Sequence, residues 1–296
     1  MHTHKLGPML TRMTLFFICM IGRLPLPLVR ALGWLLGMAL YLGIRSRRRV
    51  VQTNLFLCFP QWSHSDVRCC TRKTFVHFAQ AWLDRGWLWY GTPQQVLGRL
   101  RLTGAVEELE GDAPTVIFLP HFVGLDACGV ALTQQLSRHF TTIYTDQSNK
   151  VADAWMLKGR QRFGRLRLFG RIEGVKPIVA ALKKGEPLIL LPDMNFGPED
   201  SVFVPFYGVP AATVPSLSRF AKLGRAKVVP VVVRMTPQGY DVQVMPAWQN
   251  FPSADLEADT ALMNLRLQGY IDQMPEQYYW VHKRFKDRPN GEAAPY

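Results

Sequence analysis

The chain is organised around residues 114–126, which read PTVIFLPHFVGLD. Thr115–Leu119 is a short apolar run rich in β-branched and aromatic side chains, and it predicts a buried strand that a proline ends. His121 and Asp126 follow with four residues between them, and Gly124 permits a tight turn before the helix-like segment ACGVALTQQL. A strand, a turn and a helix start form the arrangement in which α/β enzymes carry their chemistry.

His121 and Asp126 are the predicted catalytic residues. A carboxylate beside an imidazole fixes its tautomer and favours the imidazolium, so the pair can take a proton from an alcohol. On a regular helix, positions five apart point about 140° from each other, so the two side chains meet only if the turn between them is not helical. The alternative interpretation is a polar surface loop.

Further segments predict the rest of an α/β domain. Apolar runs predict strands, and helical periodicity predicts helices. The predicted strands are Leu100–Leu109, which includes a turn, Pro187–Leu191, Lys227–Arg234 and Tyr240–Met245, and the predicted helices are Ser65–Trp89, Ile178–Lys184 and Asp259–Met274. Val202–Ala212 is predicted to be an apolar loop.

The N-terminal part of the chain is strongly basic and predicts a membrane anchor. Residues 1–65 contain no Asp or Glu and carry eight of the net positive charges, out of +13 for the whole chain. Leu26–Ile44 has one charge, Arg30, and as a helix would span about 28 Å, close to the apolar thickness of a bilayer. We expect Arg30 to reach the interface, and Arg45–Arg49 to lie on the cytoplasmic side.

This organisation predicts an anchor at residues 1–50, spanning the bilayer or lying deep in its interface, and a catalytic domain at residues 51–296. A secretory signal would place its charges before the apolar run, which is the reverse of the order found here. The alternative is an amphipathic helix on the membrane surface.

Two polar segments are the candidate substrate-binding regions. Residues 147–171 carry many cations, Arg160 and Arg162 among them, interleaved with aromatic residues. Paired guanidinium nitrogens suit phosphate, although a solvated face or nucleic-acid stacking would give the same pattern. The second segment follows the predicted strand at 187–191 and contains Asp193 and Asn195.

Several signatures of other enzyme classes are absent from the sequence. It contains no G-x-S-x-G, G-x-x-x-x-G-K, G-x-G-x-x-G or H-E-x-x-H motif. These absences argue against a serine hydrolase, a nucleotide-binding protein and a zinc peptidase. What remains is a His/Asp base without its own nucleophile, which would activate an alcohol on a lipid substrate.

Six blocks together resemble the late acyltransferases of lipid A biosynthesis, within the lysophospholipid acyltransferase superfamily. HFVGLD matches the H-x4-D/E motif of that family, although many relatives carry Glu where Asp126 stands. An Asp is frequent where this chain has Asn195. The blocks are NLFLCFP (54–60), HFVGLD (121–126), GRQRFG (159–164), ALKKGE (181–186), PDMNFGPEDSVFVPFYG (192–208) and PEQYYWVHKRFKDRP (275–289).

The resemblance implies a glycerolipid-acyltransferase-like α/β fold, with a mixed central sheet flanked by helices. It implies transfer of an acyl chain from acyl carrier protein to a hydroxyl of a 3-hydroxyacyl chain on a lipid A precursor. His121 would be the general base, with Asp126 orienting it. Arg160, or as second choice Arg162, would hold a phosphate or the oxyanion, and Asp193 and Asn195 would shape the pocket.

The same resemblance implies no cofactor, no metal and no acyl-enzyme. It implies a monomer at the bacterial inner membrane, with its catalytic domain facing the cytoplasm and no nucleic-acid partner. One alternative is acylation of a lysophospholipid or another membrane lipid, although the F-P-E-G-T-R-like block typical of glycerolipid acyltransferases is absent. The other is a membrane-tethered module that binds anions without catalysis.

Overall fold

The computed structural model describes residues 3–296, so Met1 and His2 of the predicted anchor lie outside the described residues. Within this range the α-helices are α1 (Thr3–Ile21), α2 (Leu26–Gly43), α3 (Arg45–Cys58), α4 (His64–Tyr90), α5 (Pro93–Leu97), α6 (Leu125–Gln135), α7 (Lys150–Arg160), α8 (Val175–Lys183), α9 (Ser216–Gly224) and α10 (Leu256–Ile271). The strands are β1 (Leu100–Gly104), β2 (Thr115–Phe118), β3 (Phe140–Tyr144), β4 (Leu166–Gly170), β5 (Leu188–Leu190), β6 (Val202–Phe206), β7 (Val209–Thr213), β8 (Lys227–Thr236) and β9 (Gly239–Val244).

Seven strands form one mixed sheet in the order β1-β9-β8-β2-β5-β3-β4. The β8–β9 pair is antiparallel and every other neighbouring pair is parallel. Apolar clusters cover both sides of the sheet, where the buried strands pack against the surrounding helices. The α/β prediction with a mixed central sheet flanked by helices is therefore confirmed.

The centre of the sheet positions the site. β2 and β5 are parallel neighbours, with Val116 opposite Leu188 and Phe118 opposite Leu190. All four residues of β2 and all three of β5 are buried, as expected of central strands. Because parallel strands end at the same edge, the segment after β2 and the segment after β5 meet there.

The long helix α4 separates the N-terminal helices from this edge. It begins with a capping box, in which the Ser63 hydroxyl accepts the Asp66 N–H and the Asp66 carboxylate accepts the Ser63 N–H. One of its faces packs closely on α2. A Cβ added at Gly37 would lie 2.5 Å from the Val76 Cα, so this contact depends on a residue without a side chain.

α2 is the one helix of residues 3–296 that is long and apolar enough to cross a membrane. Its buried residues face α4, and Leu28, Trp34 and Leu35 are among the large apolar side chains that it exposes. α1 exposes a similar apolar surface that includes Phe16 and Phe17. The two helices thus offer an apolar surface on the side away from the sheet.

The expectation for Arg30 was wrong. Its Nη2 lies 3.1 Å from an oxygen of Asp84, a fully buried carboxylate on α4. The same nitrogen donates to the carbonyl of Gly239 at 3.2 Å. A buried carboxylate offers a guanidinium a stronger partner than the interface does, so Arg30 joins α2 to the rest of the protein. The predicted boundary at residue 50 falls within α3, and the division into anchor and catalytic domain stays a prediction.

The segment predicted to be an apolar loop at 202–212 is a β-hairpin. β6 and β7 pair in antiparallel register, with Val202 opposite Thr213. Tyr207 and Gly208 form the turn, and both have positive φ, of 52° and 75°. A two-residue turn of this kind matches the twist of paired strands. The sequence YG at the centre of the apolar run was the local signal for the hairpin.

Candidate active site

His121 lies at the carboxyl end of β2, in a turn that the C-terminal segment holds in place. Its side chain is 20% exposed. Its backbone carbonyl accepts the N–H of Tyr279 at 3.0 Å, and Val123 donates to the carbonyl of Gln277 at 2.9 Å. The segment around residue 278 therefore fixes the backbone on both sides of Phe122.

The imidazole of His121 pairs with Asp193, which follows β5. Nδ1 of His121 lies 2.7 Å from Oδ1 of Asp193, and the His121 backbone N–H donates to Oδ2 at 2.9 Å. The Tyr278 hydroxyl donates to Oδ2 at 3.1 Å. Burial opposes the ionisation of Asp193, but His121 and these hydrogen bonds outweigh it, so the pKa of this carboxyl is lowered.

This pairing fixes the tautomer of His121. An ionised carboxylate at Nδ1 requires the proton on that nitrogen, so the Nε2 lone pair of the neutral ring is directed away from Asp193. Among the described residues no hydrogen bond involves the His121 Nε2. A base whose second nitrogen is available to substrate has the geometry for proton abstraction.

The expected contact between Asp126 and His121 is not made. Asp126 lies in the first turn of α6 and faces α4 and α7 instead. Arg85 contacts its Oδ2 through Nε at 2.8 Å and through Nη2 at 2.6 Å. Arg160 contacts its Oδ1 through Nε at 2.9 Å. The sequence analysis had predicted that Asp126 would contact the imidazole, but it contacts two guanidinium groups instead. The reason is that α6 begins immediately after Gly124, so Asp126 lies on a helix that directs its side chain toward α4 and α7.

Asp126 is held as a permanent anion. Its side chain is 9% exposed. Burial opposes ionisation, but the charges and hydrogen bonds of Arg160 and Arg85 outweigh it and lower the pKa of Asp126 to about 2. Two guanidinium groups for one carboxylate leave this cluster with one positive charge in excess. Such an excess favours an anionic group beside it.

Arg160 has capacity for a ligand, because it contacts Asp126 through Nε only. Among the hydrogen bonds of the described residues, none involves its two terminal nitrogens. The side chain is 27% exposed, and its guanidinium lies 5.6 Å from the centre of the Tyr144 ring. It is therefore oriented by one carboxylate while its fork remains available to an oxyanion or a phosphate.

The structure assigns Arg162 a different place from the one predicted. Its Nη1 donates to the carbonyl of Leu88 at 2.8 Å, and its Nη2 donates to the carbonyl of Gly91. These carbonyls lie at the end of α4, where helical oxygens lack partners of their own. The guanidinium thus caps α4, so Arg162 does not join Arg160 at Asp126.

Asn195 lies near Asp193 but is turned into the protein. It is 2% exposed, its side-chain nitrogen donates to the carbonyl of Arg284 at 3.3 Å, and its side-chain oxygen accepts the N–H of Gly197 at 3.0 Å. Its backbone N–H donates to Nε2 of His282 at 3.2 Å. Asn195 therefore shapes the loop that carries Asp193, and both polar atoms of its side chain bond to protein groups.

Four residues of the site were not predicted as site residues. They are Arg85, Tyr278, Tyr279 and His282. Arg85 carried a usable signal, since it is the only charge on an α4 face otherwise made of Phe78, Trp82 and Trp89. The other three belong to the C-terminal block 275–289, whose long-range contacts have no local signature.

No metal site is visible in the part of the chain that the structure describes. Residues 3–296 contain no group of three or more His, Cys, Asp or Glu side chains that could hold a metal ion. The chemistry available at the site is that of the imidazole, the two carboxylates and the two guanidinium groups.

The sequence is similar over almost its whole length to proteins of one bacterial family. The family model for bacterial lipid A biosynthesis acyltransferases matches residues 1–287. A lipid A biosynthesis acyltransferase of Haemophilus influenzae is 31% identical over 283 residues, which cover 94% of this chain and 88% of the relative. This likeness extends over almost the whole chain.

Two relatives from Escherichia coli are similarly alike and differ in the acyl group that their names give. The lipid A biosynthesis myristoyltransferase is 32% identical and covers 91% of this chain and 83% of its own. The lipid A biosynthesis lauroyltransferase is 30% identical and covers 97% and 94%. Near-equal identity to both means that overall likeness does not choose between acyl groups.

Proposed function

This chain belongs to the bacterial lipid A biosynthesis acyltransferase family, and from that premise we propose that it transfers a fatty acyl chain from acyl carrier protein to a lipid A precursor. The acceptor is the hydroxyl of a 3-hydroxyacyl chain, and the product is an acyloxyacyl ester. The observation that carries the proposal is the base geometry of His121, with Nδ1 on Asp193 and Nε2 available.

His121 is the general base in this proposal. Its Nε2 takes the proton of the acceptor hydroxyl as the hydroxyl oxygen attacks the thioester carbonyl carbon. Asp193, not Asp126, orients the ring and stabilises the imidazolium. The tetrahedral intermediate then collapses with cleavage of the carbon–sulfur bond. The imidazolium returns its proton to the departing thiolate, so no acyl-enzyme forms and no metal takes part.

Arg160 stabilises the negative charge that develops on the carbonyl oxygen. Within the part of the chain that the structure describes, its two terminal nitrogens make no hydrogen bond, and the cluster that it forms with Arg85 and Asp126 carries one excess positive charge. The first N–H groups of α6, which receive no side-chain cap from Gly124, are further donors. The excess positive charge also suits a phosphate of the lipid A precursor. The headgroup of the acceptor is therefore a second group that Arg160 binds, besides the carbonyl oxygen of the thioester.

The charge of the chain supports its proposed partners and location. Acyl carrier proteins are acidic, and a net charge of +13 favours docking of an acidic carrier. The apolar helix α2 precedes four arginines within Arg45–Arg49, the order expected when the following domain is cytoplasmic. We therefore place the enzyme at the inner membrane with its site facing the cytoplasm, acting as a monomer without a cofactor.

The testing experiment is transfer from acyl carrier protein thioesters to purified lipid A precursors, read by mass spectrometry. Wild type is expected to add one acyl chain, and His121→Ala is expected to lower the rate by about 10³-fold or more because the base is lost. His139→Ala, which replaces an exposed histidine, is the matched control and is expected to behave as wild type.

Two outcomes would contradict the proposal. Near-normal transfer by His121→Ala would eliminate the base. If wild type did not acylate lipid A precursors but did acylate lysophospholipids, the acceptor would be another membrane lipid. Both readouts use the full chain in detergent or vesicles.

A further inference from the structure

One face of α4 is directed toward the active site and carries an aromatic row. Phe78, Trp82, Arg85 and Trp89 follow a spacing of four, three and four residues, so their side chains lie along one side of the helix. The opposite side of α4, including Val76 and Gln80, packs on α2. The two faces therefore have different neighbours.

The row begins beside the general base. The Phe78 ring centre lies 5.8 Å from that of Tyr279. The Tyr279 ring centre lies 6.1 Å from that of His121, and its backbone N–H donates to the His121 carbonyl. A row of aromatic rings thus starts at the imidazole and continues through Tyr279 onto α4.

The row continues to the second polar cluster. Phe78 contacts Trp82, with ring centres 6.4 Å apart, and the Arg85 guanidinium lies 4.1 Å from the Trp82 ring centre. Arg85 in turn contacts Asp126. The surface formed by Tyr279, Phe78 and Trp82, which we call the aromatic wall, therefore joins the His121 pair to the Asp126 cluster.

The members of the aromatic wall remain partly exposed, unlike the aromatic side chains of α4 that fill the core. Phe75, Trp87 and Trp89 are buried, with relative exposures of 4%, 0% and 5%. Phe78, Trp82 and Tyr279 are intermediate. Partly exposed aromatic side chains in continuity with a base and an oxyanion-type cluster are placed to contact substrate rather than to fill the core.

We propose that the aromatic wall binds the transferred acyl chain and sets the donor chain length that the enzyme prefers. This inference rests on the proposed acyl transfer. From His121 the ring centres of Tyr279, Phe78 and Trp82 follow one another at steps of 6.1, 5.8 and 6.4 Å, a path long enough for a medium-length acyl chain. The wall presents hydrocarbon and ring faces, which match a saturated chain.

The donor chain is the occupant because it arrives on a soluble, acidic carrier and must leave water to react. The acceptor lipid can keep its own chains in the bilayer, for which α1 and α2 expose a separate apolar surface. The aromatic wall lies on the other side of α4 from α2, adjacent to the reacting groups. It is therefore the apolar surface that a thioester at His121 meets.

The experiment compares Phe78→Ala and Phe78→Trp with the matched control Phe56→Ala, using lauroyl, myristoyl and palmitoyl thioesters of acyl carrier protein. Phe56 is 38% exposed on α3 and has its ring on His64. Each methylene that packs on the wall contributes about a fourfold gain in kcat/KM. Phe78→Ala is expected to lower kcat/KM about 10-fold for the best donor, through KM, and to flatten the dependence on chain length.

Phe78→Trp leaves less room beside the wall, so the donor with the highest kcat/KM is expected to have a shorter acyl chain. Phe56→Ala is expected to keep the wild-type dependence of kcat/KM on chain length. An unchanged donor profile in both Phe78 variants, with wild-type thermal stability, would overturn the inference. A raised KM for the acceptor alone would overturn it in favour of an acceptor chain.

A second readout separates this inference from the proposed function. A carrier thioester with a diazirine at the end of its chain is photolysed with the full-length enzyme, and the labelled peptide is identified. Labelling within residues 78–82 or at Tyr279 supports the aromatic wall even if no transfer occurs, and labelling confined to other segments overturns it even if transfer is normal.

Discussion

Two carboxylates lie beside the same turn of the chain and are held in opposite ways. Asp193 contacts an imidazole, a tyrosine hydroxyl and a backbone N–H. Asp126 contacts two guanidinium groups. Asp193 is fully buried, the Asp126 side chain is 9% exposed, and both carboxyl groups have lowered pKa values. The difference lies in the chemical type of the partner: Asp193 contacts an imidazole, which can accept and return a proton, whereas Asp126 contacts guanidinium groups, which carry a fixed charge.

The contrast assigns the two carboxylates different work. A carboxylate beside an imidazole can stabilise the imidazolium, so in the proposed mechanism Asp193 takes part in the chemical step. A carboxylate between two permanent cations holds them in place, so Asp126 belongs to the framework that directs Arg160. Replacement of the two residues should therefore affect different measurable quantities.

The largest effect is expected for Asp193→Asn. The amide keeps the size of the side chain but removes the charge that stabilises the imidazolium and fixes the tautomer, so kcat should fall by about 10²–10⁴-fold. KM should change little, because the effect arises after binding. Steady-state kinetics with a carrier thioester measure both, and Asp200→Asn, which replaces an exposed aspartate, is the control. A small change in kcat with a large rise in KM would place Asp193 in binding instead.

The next effect is expected for Arg160→Ala. Loss of one donor to a developing oxyanion lowers kcat/KM by about 10²-fold. Arg160→Lys keeps the charge but loses the contact geometry of Nε and the fork, so it should recover only part of the rate. Arg167→Ala, from the same basic segment and exposed, is the control. Equal rates for the Lys and Ala variants would mean that charge at this position plays no part.

Most of the fold could be predicted from the sequence, but the carboxylate that contacts His121 could not. The buried run at 115–119, the capped helix that begins near residue 64 and the strand at 187–191 are local patterns, and the structure contains them. His121 was identified as the base from its place after a strand, and that role stays a prediction. The partner was misassigned because proximity along the chain favoured Asp126, while the parallel pairing of β2 and β5 brings Asp193 to the ring.

The remaining contacts depend on the tertiary fold. Arg85 reaches Asp126 across 41 positions of sequence, and Tyr278 reaches Asp193 across 85. Neither separation leaves a periodic trace in the chain. Arg162 carried the same local signal as Arg160, and only the end of α4 distinguishes them. Side-chain partners that are fixed by helix ends and strand order lie beyond what spacing alone can predict.

Asp126→Asn should lower the stability of the folded protein, by an amount that depends on pH. With its pKa lowered from 3.8 to about 2, Asp126 stabilises the folded state by about 2 kcal/mol at neutral pH. This contribution is fully present above about pH 5 and is lost progressively as the pH falls through about 2, because in that window the unfolded carboxyl binds a proton more readily than the folded one does. Urea unfolding of wild type and Asp126→Asn should differ at pH 7 and converge as the pH falls below 4. A difference that is constant with pH would remove the electrostatic role.

The smallest effect on activity is expected for replacement of His282, which joins the C-terminal segment to the loop that carries Asp193. Burial, with the charges of Arg284 and His121, lowers the pKa of His282 to about 4, so the ring is neutral when Nε2 accepts the Asn195 N–H. Between pH 4 and 6.5 the unfolded chain binds a proton here that the folded protein does not, so stability should fall as the pH decreases through this window.

His282→Gln keeps an acceptor for the Asn195 N–H but does not titrate, so the slope of melting temperature against pH between 4.5 and 6.5 should become shallower than in wild type, about as expected for loss of one proton. Transfer at pH 7 should fall only a few-fold, because the loop that carries Asp193 keeps its hydrogen bond. His282→Ala removes that acceptor and should lower activity further. If the Gln and Ala variants were equally active, the hydrogen bond to Asn195 would have no part in placing Asp193, and the Tyr278 hydroxyl would be the remaining side-chain support from the C-terminal segment. If both variants kept the wild-type slope, His282 would not be the group that causes it.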